Sequence, residues 1–324
     1  MFNNNTFIIA EIGNNHEGSF KVAKELVSKA AEAKVDAVKF QTFKVSEFLN
    51  KKNEKFDFYK NLELTELEFF KLFEYAKKKG LFFISTPLDI SSAKFLAKFA
   101  DCIKISSADI DYHPLVEIVA KLKKPTIIST GMSNISRVSA AYKNFLHLKK
   151  KNFGLMHCVS SYPADLSEIN LNCINTLSKN FNATIGYSDH CLGLDACLAA
   201  VSVGAKIIEK HFTLDNNFSN FRDHKLSANP NDLKNLVTKI RSIEYMLGKK
   251  KKRLRFSEKK IFMQTRRYMV VKKNVKKNSI LNNDNICWVR GKKGILPIKN
   301  INQKKIKIKK DKTIHELVFK SEIS

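Results

Sequence analysis

Eight short runs of apolar and β-branched residues, most followed by a stretch of helical periodicity, constrain this chain more than any other feature. The runs are Phe7–Ile12, Ala37–Gln41, Leu81–Ser85, Cys102–Ile105, Thr126–Ser129, Phe153–Cys158, Thr184–Tyr187 and Lys206–Glu209. The helical stretches are Phe20–Lys34, Thr65–Lys79, Ser91–Phe99, Pro114–Leu122, Ile169–Asn180, Leu192–Val203 and Asn231–Leu247. The first carries Val22, Ala23, Leu26, Val27, Ala30 and Ala33 on one face, and Thr65 with Glu68 fits a capping box. An open, doubly wound sheet is the alternative to a closed one. Eight parallel strands in so short a chain favour closure, so the expected fold is α/β, a (β/α)8 TIM barrel over residues 1–248.

The pattern changes after residue 248. A charged run, Lys249 to Arg255, opens an expected linker over 249–267. Residues 268–324 then read as a small β-rich domain, with strand-like pieces Tyr268–Val271, Ser279–Leu281, Ile286–Val289, Gly294–Leu296 and Ile306–Ile308. A domain this small buries little core and is expected to lean on a partner surface. It also holds most of the charge. The chain carries +27, of which residues 249–324 contribute +20 from 25 Lys and Arg against 5 Asp and Glu. A basic tail can attract nucleic acid or a membrane surface. This one lacks the aromatic and glycine interleaving of a single-strand-binding surface. The same Lys/Asn/Ile bias runs through the whole chain, so a solvated face is expected and no nucleic-acid partner. The six cysteines form no CxxC pair, which reads as reduced thiols. No apolar run reaches membrane-spanning length, and Met1 to Thr6 lacks a basic signal region, so a cytoplasmic protein without a membrane anchor is expected.

In a barrel of this kind the working residues sit at the C-terminal strand ends. Those positions are unusually polar here. They hold Glu11 with Asn14, Asn15 and His16; Lys39 and Gln41; Ser85 and Thr86; Lys104, Ser107 and Asp109; Ser129, Thr130 and Gly131; His157, Ser160 and Tyr162; Ser188, Asp189 and His190; and Glu209, Lys210 and His211. An inward Lys or His is costly unless paired or hydrated. Lys39, Lys104, Thr86, Ser107, Ser129, Ser160 and Ser188 suit a phosphate and a carboxylate together. His190 and His211 end neighbouring strands and can share one divalent ion, with Glu11 or Asp223 as oxygen ligand or neighbour. Bland readings stand beside these. His157 is either a site group or a satisfied core histidine. Lys210 is expected to point outward, opposite to Glu209 and His211. Asp189 and His224 read as groups that orient others.

Nine ordered motifs carry a resemblance. They include Ala10-Glu11-Ile12-Gly13-Asn14-Asn15-His16-Glu17-Gly18, Lys39-Phe40-Gln41-Thr42, Lys104-Ile105-Ser106-Ser107, Gly186-Tyr187-Ser188-Asp189-His190, Glu209-Lys210-His211-Phe212 and Arg222-Asp223-His224-Lys225-Leu226-Ser227. The chain resembles the bacterial sialic acid synthases, and its tail is similar to their antifreeze-like (SAF) domain. The resemblance implies condensation of phosphoenolpyruvate with an N-acylated six-carbon amino sugar to a nine-carbon sugar acid. It implies that Lys39, Thr86, Lys104, Ser107, Ser129, Ser160 and Ser188 hold phosphoenolpyruvate, and that Glu11, Gln41, Tyr162 and Asp223 face the sugar. Glu11, Asp109 and Lys104 would serve the reacting centre. His190 and His211 would bind a divalent metal, manganese by preference over magnesium or cobalt. A domain-swapped homodimer would bring Arg290 from one subunit to the acyl group bound in the other. Two departures are visible: Asp109 stands where the family often has Glu, and the loop Arg290-Gly291-Lys292-Lys293-Gly294 lacks the usual Arg-Pro-Gly-x-Gly. Related barrel enzymes that condense phosphoenolpyruvate with phosphorylated pentoses or tetroses lack such a tail. The resemblance does not separate sialic, legionaminic and pseudaminic precursors, although the Glu11-Ile12-Gly13 pattern leans away from the last.

Overall fold

A computed structural model describes residues 2, 5–147, 153–291 and 293–324. The chain divides into two compact units, Met1–Gly248 and Lys249–Ser324.

The first unit is a closed barrel of eight parallel strands in sequence order. They are β1 (Phe7–Gly13), β2 (Ala37–Thr42), β3 (Phe82–Pro87), β4 (Cys102–Ile105), β5 (Thr126–Ser129), β6 (Phe153–His157), β7 (Thr184–Asp189) and β8 (Ile207–His211). β1 and β8 close the ring, with Phe7 opposite Ile207 and Glu11 opposite His211. The helices of this unit are α1 (Phe20–Glu32), α2 (Val45–Phe48), α3 (Phe56–Leu62), α4 (Glu66–Lys78), α5 (Ile90–Leu96), α6 (His113–Lys121), α7 (Ile135–His147), α8 (Asn172–Asn180), α9 (Asp195–Val203), α10 (Asp223–Leu226) and α11 (Pro230–Leu247).

Period-two alternation sorts every strand residue to one of two cores. Phe7, Ile9, Ala37, Ile84, Cys102, Ile127, Met156 and Ile207 fill the barrel interior as one apolar cluster. Their neighbours Ile8, Ala10, Val38, Phe83, Ile103, Ile128, Leu155, Ile185 and Ile208 face outward and join the helices in a second, larger cluster. Each fully buried Ile or Leu contributes about 1.5–3 kcal/mol. Gly186 pairs with Ile207, and a Cβ there would come within 2.7 Å of both Ile207 Cβ and its carbonyl oxygen. Only glycine lets β7 lie this close to β8.

The expected capping box is present: Thr65 Oγ1 accepts from the Glu68 amide at 3.2 Å, and Glu68 Oε2 accepts from the Thr65 amide at 2.8 Å. Four helices of this unit fall outside the expected set. α7 does carry an apolar stripe, Val138, Ala141, Tyr142 and Phe145, but amid helix-neutral Ser, Asn and Tyr. α2, α3 and α10 are single-turn or two-turn pieces too short to show a period. α2 and α3 carry a small aromatic cluster of their own around Phe43, Val45 and Leu62.

In the second unit, part of the expected linker is helical: α12 spans Lys259–Thr265. β9 (Arg267–Val271) and β10 (Ile286–Arg290) pair antiparallel, Arg267 opposite Arg290 and Val271 opposite Ile286. Met269, Val271, Val275, Leu281, Ile286, Ile301, Ile308 and Val318 form its core. The pieces expected at Ser279–Leu281 and Ile306–Ile308 supply only single bridges, such as Ile280 to Lys307. Positive φ angles at Asn278, Asn300, Lys305 and His315 turn the chain before a longer ladder can form.

Candidate active site

The polar ring follows from the same alternation that builds the floor. Two residues beyond Ile9, Ala37, Ile84, Cys102, Ile127, Met156, Gly186 and Ile207 come Glu11, Lys39, Thr86, Lys104, Ser129, Cys158, Ser188 and Glu209. All eight line one cavity of about 920 Å³. Four of them form a sealed charge network. Lys39 Nζ lies 2.8 Å from Glu11 Oε2, 3.6 Å from Glu209 Oε1 and 3.4 Å from Thr86 Oγ1. Lys104 Nζ reaches both Glu209 oxygens, at 2.9 and 3.2 Å, and Ser188 Oγ donates to Glu209 Oε1 at 2.8 Å.

The two carboxylates are pushed apart in acidity. Burial drives Glu11 up to about 7 against the pull of Lys39, with Glu209 adding repulsion. Glu209 is equally buried, yet Lys104 and Lys39 hold it down at about 2. Burial opposes the charge of Lys39, but Glu11 and Glu209 outweigh it and raise its pKa. Near neutral pH the network therefore holds two ammonium groups against one full carboxylate and one that is part-protonated. The surplus is positive, on side chains almost fully buried, where charge is weakly screened. That is an anion site.

Hydroxyls complete it. The Gly131 amide donates to Ser107 Oγ at 3.0 Å, and Ser107 Oγ lies 3.1 Å from Cys158 Sγ. A Cβ on Gly131 would meet Ser160 Oγ at 2.4 Å and both Cys158 Sγ and Ser107 Oγ at 2.8 Å. The backbone thus closes to touching distance of three side chains, which any larger residue would push aside. Ser129 Oγ is buried in the same cradle without a hydrogen-bond partner, a donor held for a ligand. Gln41 lines the cavity and accepts from Asn14 Nδ2 at 2.8 Å.

At the rim, the rings of His190 and His211 lie 5.4 Å apart. Burial lowers both pKa values, so both are neutral near pH 7. His190 Nδ1 bonds the Val159 carbonyl at 2.7 Å, which leaves Nε2 free. His211 Nδ1 is buried with no hydrogen-bond partner, and Asp223 Oδ2 stands 3.9 Å away. Neutral imidazoles with bare nitrogens fit a divalent transition metal. Among the described residues no three His, Cys, Asp or Glu are placed to hold a metal ion together, so the remaining positions would fall to substrate or water. Tyr162 packs on His190 at 4.2 Å, and the Arg222 guanidinium lies 4.9 Å from the Tyr162 ring. Burial raises the Asp223 carboxyl pKa against the pull of Arg222, whose Nε donates to it at 3.2 Å.

One expected site residue, Asp109, is not in this cavity. Its carboxylate turns to Ser106 Oγ, 2.5 Å away, because the short turn Ser107–Asp109 carries it past the strand end. Arg290 lies in the second unit, exposed on β10, and Lys292 of its loop falls outside the described residues. His157 proves to be a core histidine, its Nε2 bonded to the Ile169 carbonyl at 2.7 Å. Lys210 does point outward and is fully buried there against Asp189. His224 orients others, bridging Thr213 Oγ1 and Glu17 Oε1 at 2.7 and 2.8 Å. Glu209, Cys158 and Gly131 are central, yet the sequence reading assigned them no role. Alternation with His211 was the signal for Glu209.

Residues 26–252 match the NeuB family. The chain belongs to the NeuB family. It is 46% identical over 291 residues to an uncharacterized protein of Methanocaldococcus jannaschii, covering 90% of this chain and 86% of that one. It is 38% identical over 307 residues to the N,N'-diacetyllegionaminic acid synthase of Campylobacter jejuni, covering 90% and 92%. Among solved structures it resembles the N-acetylneuraminic acid synthetase of Leptospira borgpetersenii, with TM-score 0.77, 37% identity and coverage of 80% and 91%. Membership of the NeuB family makes the chain an enzyme, and the cavity is its candidate active site.

Proposed function

We propose that the chain condenses phosphoenolpyruvate with an N-acylated six-carbon amino sugar of the N-acetylmannosamine type, and water, to give a nine-carbon sialic-acid-like sugar acid and phosphate. The observation that carries this reading is the sealed Glu11–Lys39–Glu209–Lys104 network beside the Gly131 cradle. It offers two ammonium groups and the hydroxyls of Thr86, Ser107, Ser129, Ser160 and Ser188 to one small, multiply charged anion, as phosphoenolpyruvate is.

Carbon 3 of phosphoenolpyruvate forms the bond to the sugar's aldehyde carbon, and the aldehyde oxygen takes up a proton. Water adds to carbon 2 and loses one proton; as the bond from carbon 2 to the phosphate oxygen breaks, the new hydroxyl passes its remaining proton to the departing phosphate and leaves a ketone. Glu11, poised at about 7, supplies the first proton and takes the second. Lys39 and Lys104 hold carboxylate and phosphate throughout. Gln41, Tyr162 and Asp223 face the sugar at the mouth. His190 and His211 would hold a divalent cation, manganese in this reading, whose Lewis acidity polarises the aldehyde oxygen. In a homodimer, Arg290 of the partner subunit would meet the sugar's acyl group.

The test incubates the full chain with phosphoenolpyruvate, Mn2+ and a panel of sialic, legionaminic and pseudaminic precursors. Phosphate release and product mass are measured together. Release with one sugar and a product of the summed mass supports the reading; no release with any sugar overturns it.

A further inference from the structure

Each rim histidine is preceded by a charged residue that points the other way. Asp189 and Lys210 face each other across the β7–β8 ladder. They turn away from the cavity, into the layer between barrel and helices. Both are sealed there, 0% and 1% exposed, with Lys210 Nζ 2.8 Å from Asp189 Oδ2. Burying two charges costs several kcal/mol each, and an apolar pair of similar size often stabilises as well. Stability alone is a weak reason for the pair.

Its other contacts supply a better one. Asp189 Oδ1 accepts from the Cys191 amide at 3.0 Å and from Tyr187 Oη at 3.1 Å. Lys210 Nζ also donates to the Cys191 carbonyl. Cys197, on α9, donates to Asp189 Oδ2 at 3.4 Å. The backbone on the far side of His190 is thus held at both its N–H and its C=O. The His190 carbonyl accepts from the Ala164 amide at 3.0 Å, and the His211 carbonyl from the Ala228 amide at 2.7 Å. The contacts of Asp189 and Lys210 with Cys191 tie the backbone just beyond β7 to the end of β8.

We infer that the buried Asp189–Lys210 pair is a positioning device that locks the ends of β7 and β8, so that His190 and His211 present their imidazoles to one ion. Neither residue touches the cavity, so both act through the histidines. The metal arm of this inference rests on the reading above; the orientation of His190 does not.

The test uses the charge-neutral pair Asp189→Asn/Lys210→Met in the full chain. No uncompensated charge is left buried, and far-UV circular dichroism and a thermal melt confirm the fold. Two quantities are then compared with the wild type. Mn2+ affinity, by electron paramagnetic resonance without substrate, should weaken about 10- to 100-fold, the usual loss when a group orienting a ligand is removed. Phosphoenolpyruvate affinity without metal, by calorimetry, should change by less than about threefold, since Lys39 and Lys104 are untouched. Long-range 1H–15N spectra of the metal-free protein should show a single Nδ1–H tautomer at His190 in the wild type and a mixture in the variant. Lys210→Gln, which keeps a donor toward Asp189, is the second variant and should give the smaller effect. An unchanged tautomer with unchanged Mn2+ affinity overturns the inference, as does equal weakening of both ligands, which marks general loosening. If the wild type binds no Mn2+, the metal reading fails, and the tautomer decides the positioning role alone.

Discussion

Glu209→Gln is the sharpest probe of the charge network. The amide keeps the shape and one acceptor for Lys104 Nζ, now 2.9 Å from Oε1, but removes the charge that two lysines share. The magnitude follows from the acidity of Glu209. Its pKa falls from an ordinary 4.5 to about 2, held there by Lys104 and Lys39. At about 1.4 kcal/mol per unit, that is about 3 kcal/mol of stability at pH 7. The group's folded pKa is depressed, so this contribution is complete above 4.5 and is lost as the pH falls through 2. Linkage gives about 2 kcal/mol remaining at pH 3.5. Urea unfolding followed at 222 nm, where the barrel helices dominate, should therefore show the wild type more stable than the variant by about 3 kcal/mol at pH 7. The gap should narrow by about 1 kcal/mol between pH 6 and pH 3.5. A gap below about 1 kcal/mol, or one that does not change with pH, would refute the claim that Glu209 is the charged hub.

Three further outcomes follow from the same geometry. Gly131→Ala drives a methyl into Ser160, Ser107 and Cys158, so the Michaelis constant for phosphoenolpyruvate should rise at least about tenfold while overpacking costs about 1–3 kcal/mol, read by phosphate release and urea unfolding. Asp109→Asn should leave turnover within about threefold of wild type, because its carboxylate turns away to Ser106; a loss beyond about 100-fold would restore it to the reacting centre. The pH–rate profile of phosphate release should bend near 7, where Glu11 changes charge, and Glu11→Gln should abolish both the bend and most of the rate.

What the sequence made legible, and what it hid, divides along one physical line. Period-two alternation is local, so it exposed the eight strands and the polar ring, including Lys39, Lys104 and His211. It also implied that Lys210 faces away from Glu209 and His211. It cannot report which side chains meet across a closed barrel. Lys104 and Glu209 are 105 residues apart in sequence, yet they bond at 2.9 Å. Asp109 drew a role from the resemblance, whereas Glu209, although it opens the motif Glu209-Lys210-His211-Phe212, drew none. The difference between them is one of rotation about the strand end. Glu209 lies within β8, its direction set by the ladder to β7 and β1. Asp109 lies three residues into a turn, where no ladder governs direction and the nearest hydroxyl, Ser106, decides it. Residues held inside a strand therefore inherit their role from alternation. Those past its end take theirs from local hydrogen bonds, which is why Asp189 and Lys210 are needed to hold the one histidine, His190, that lies just beyond its strand.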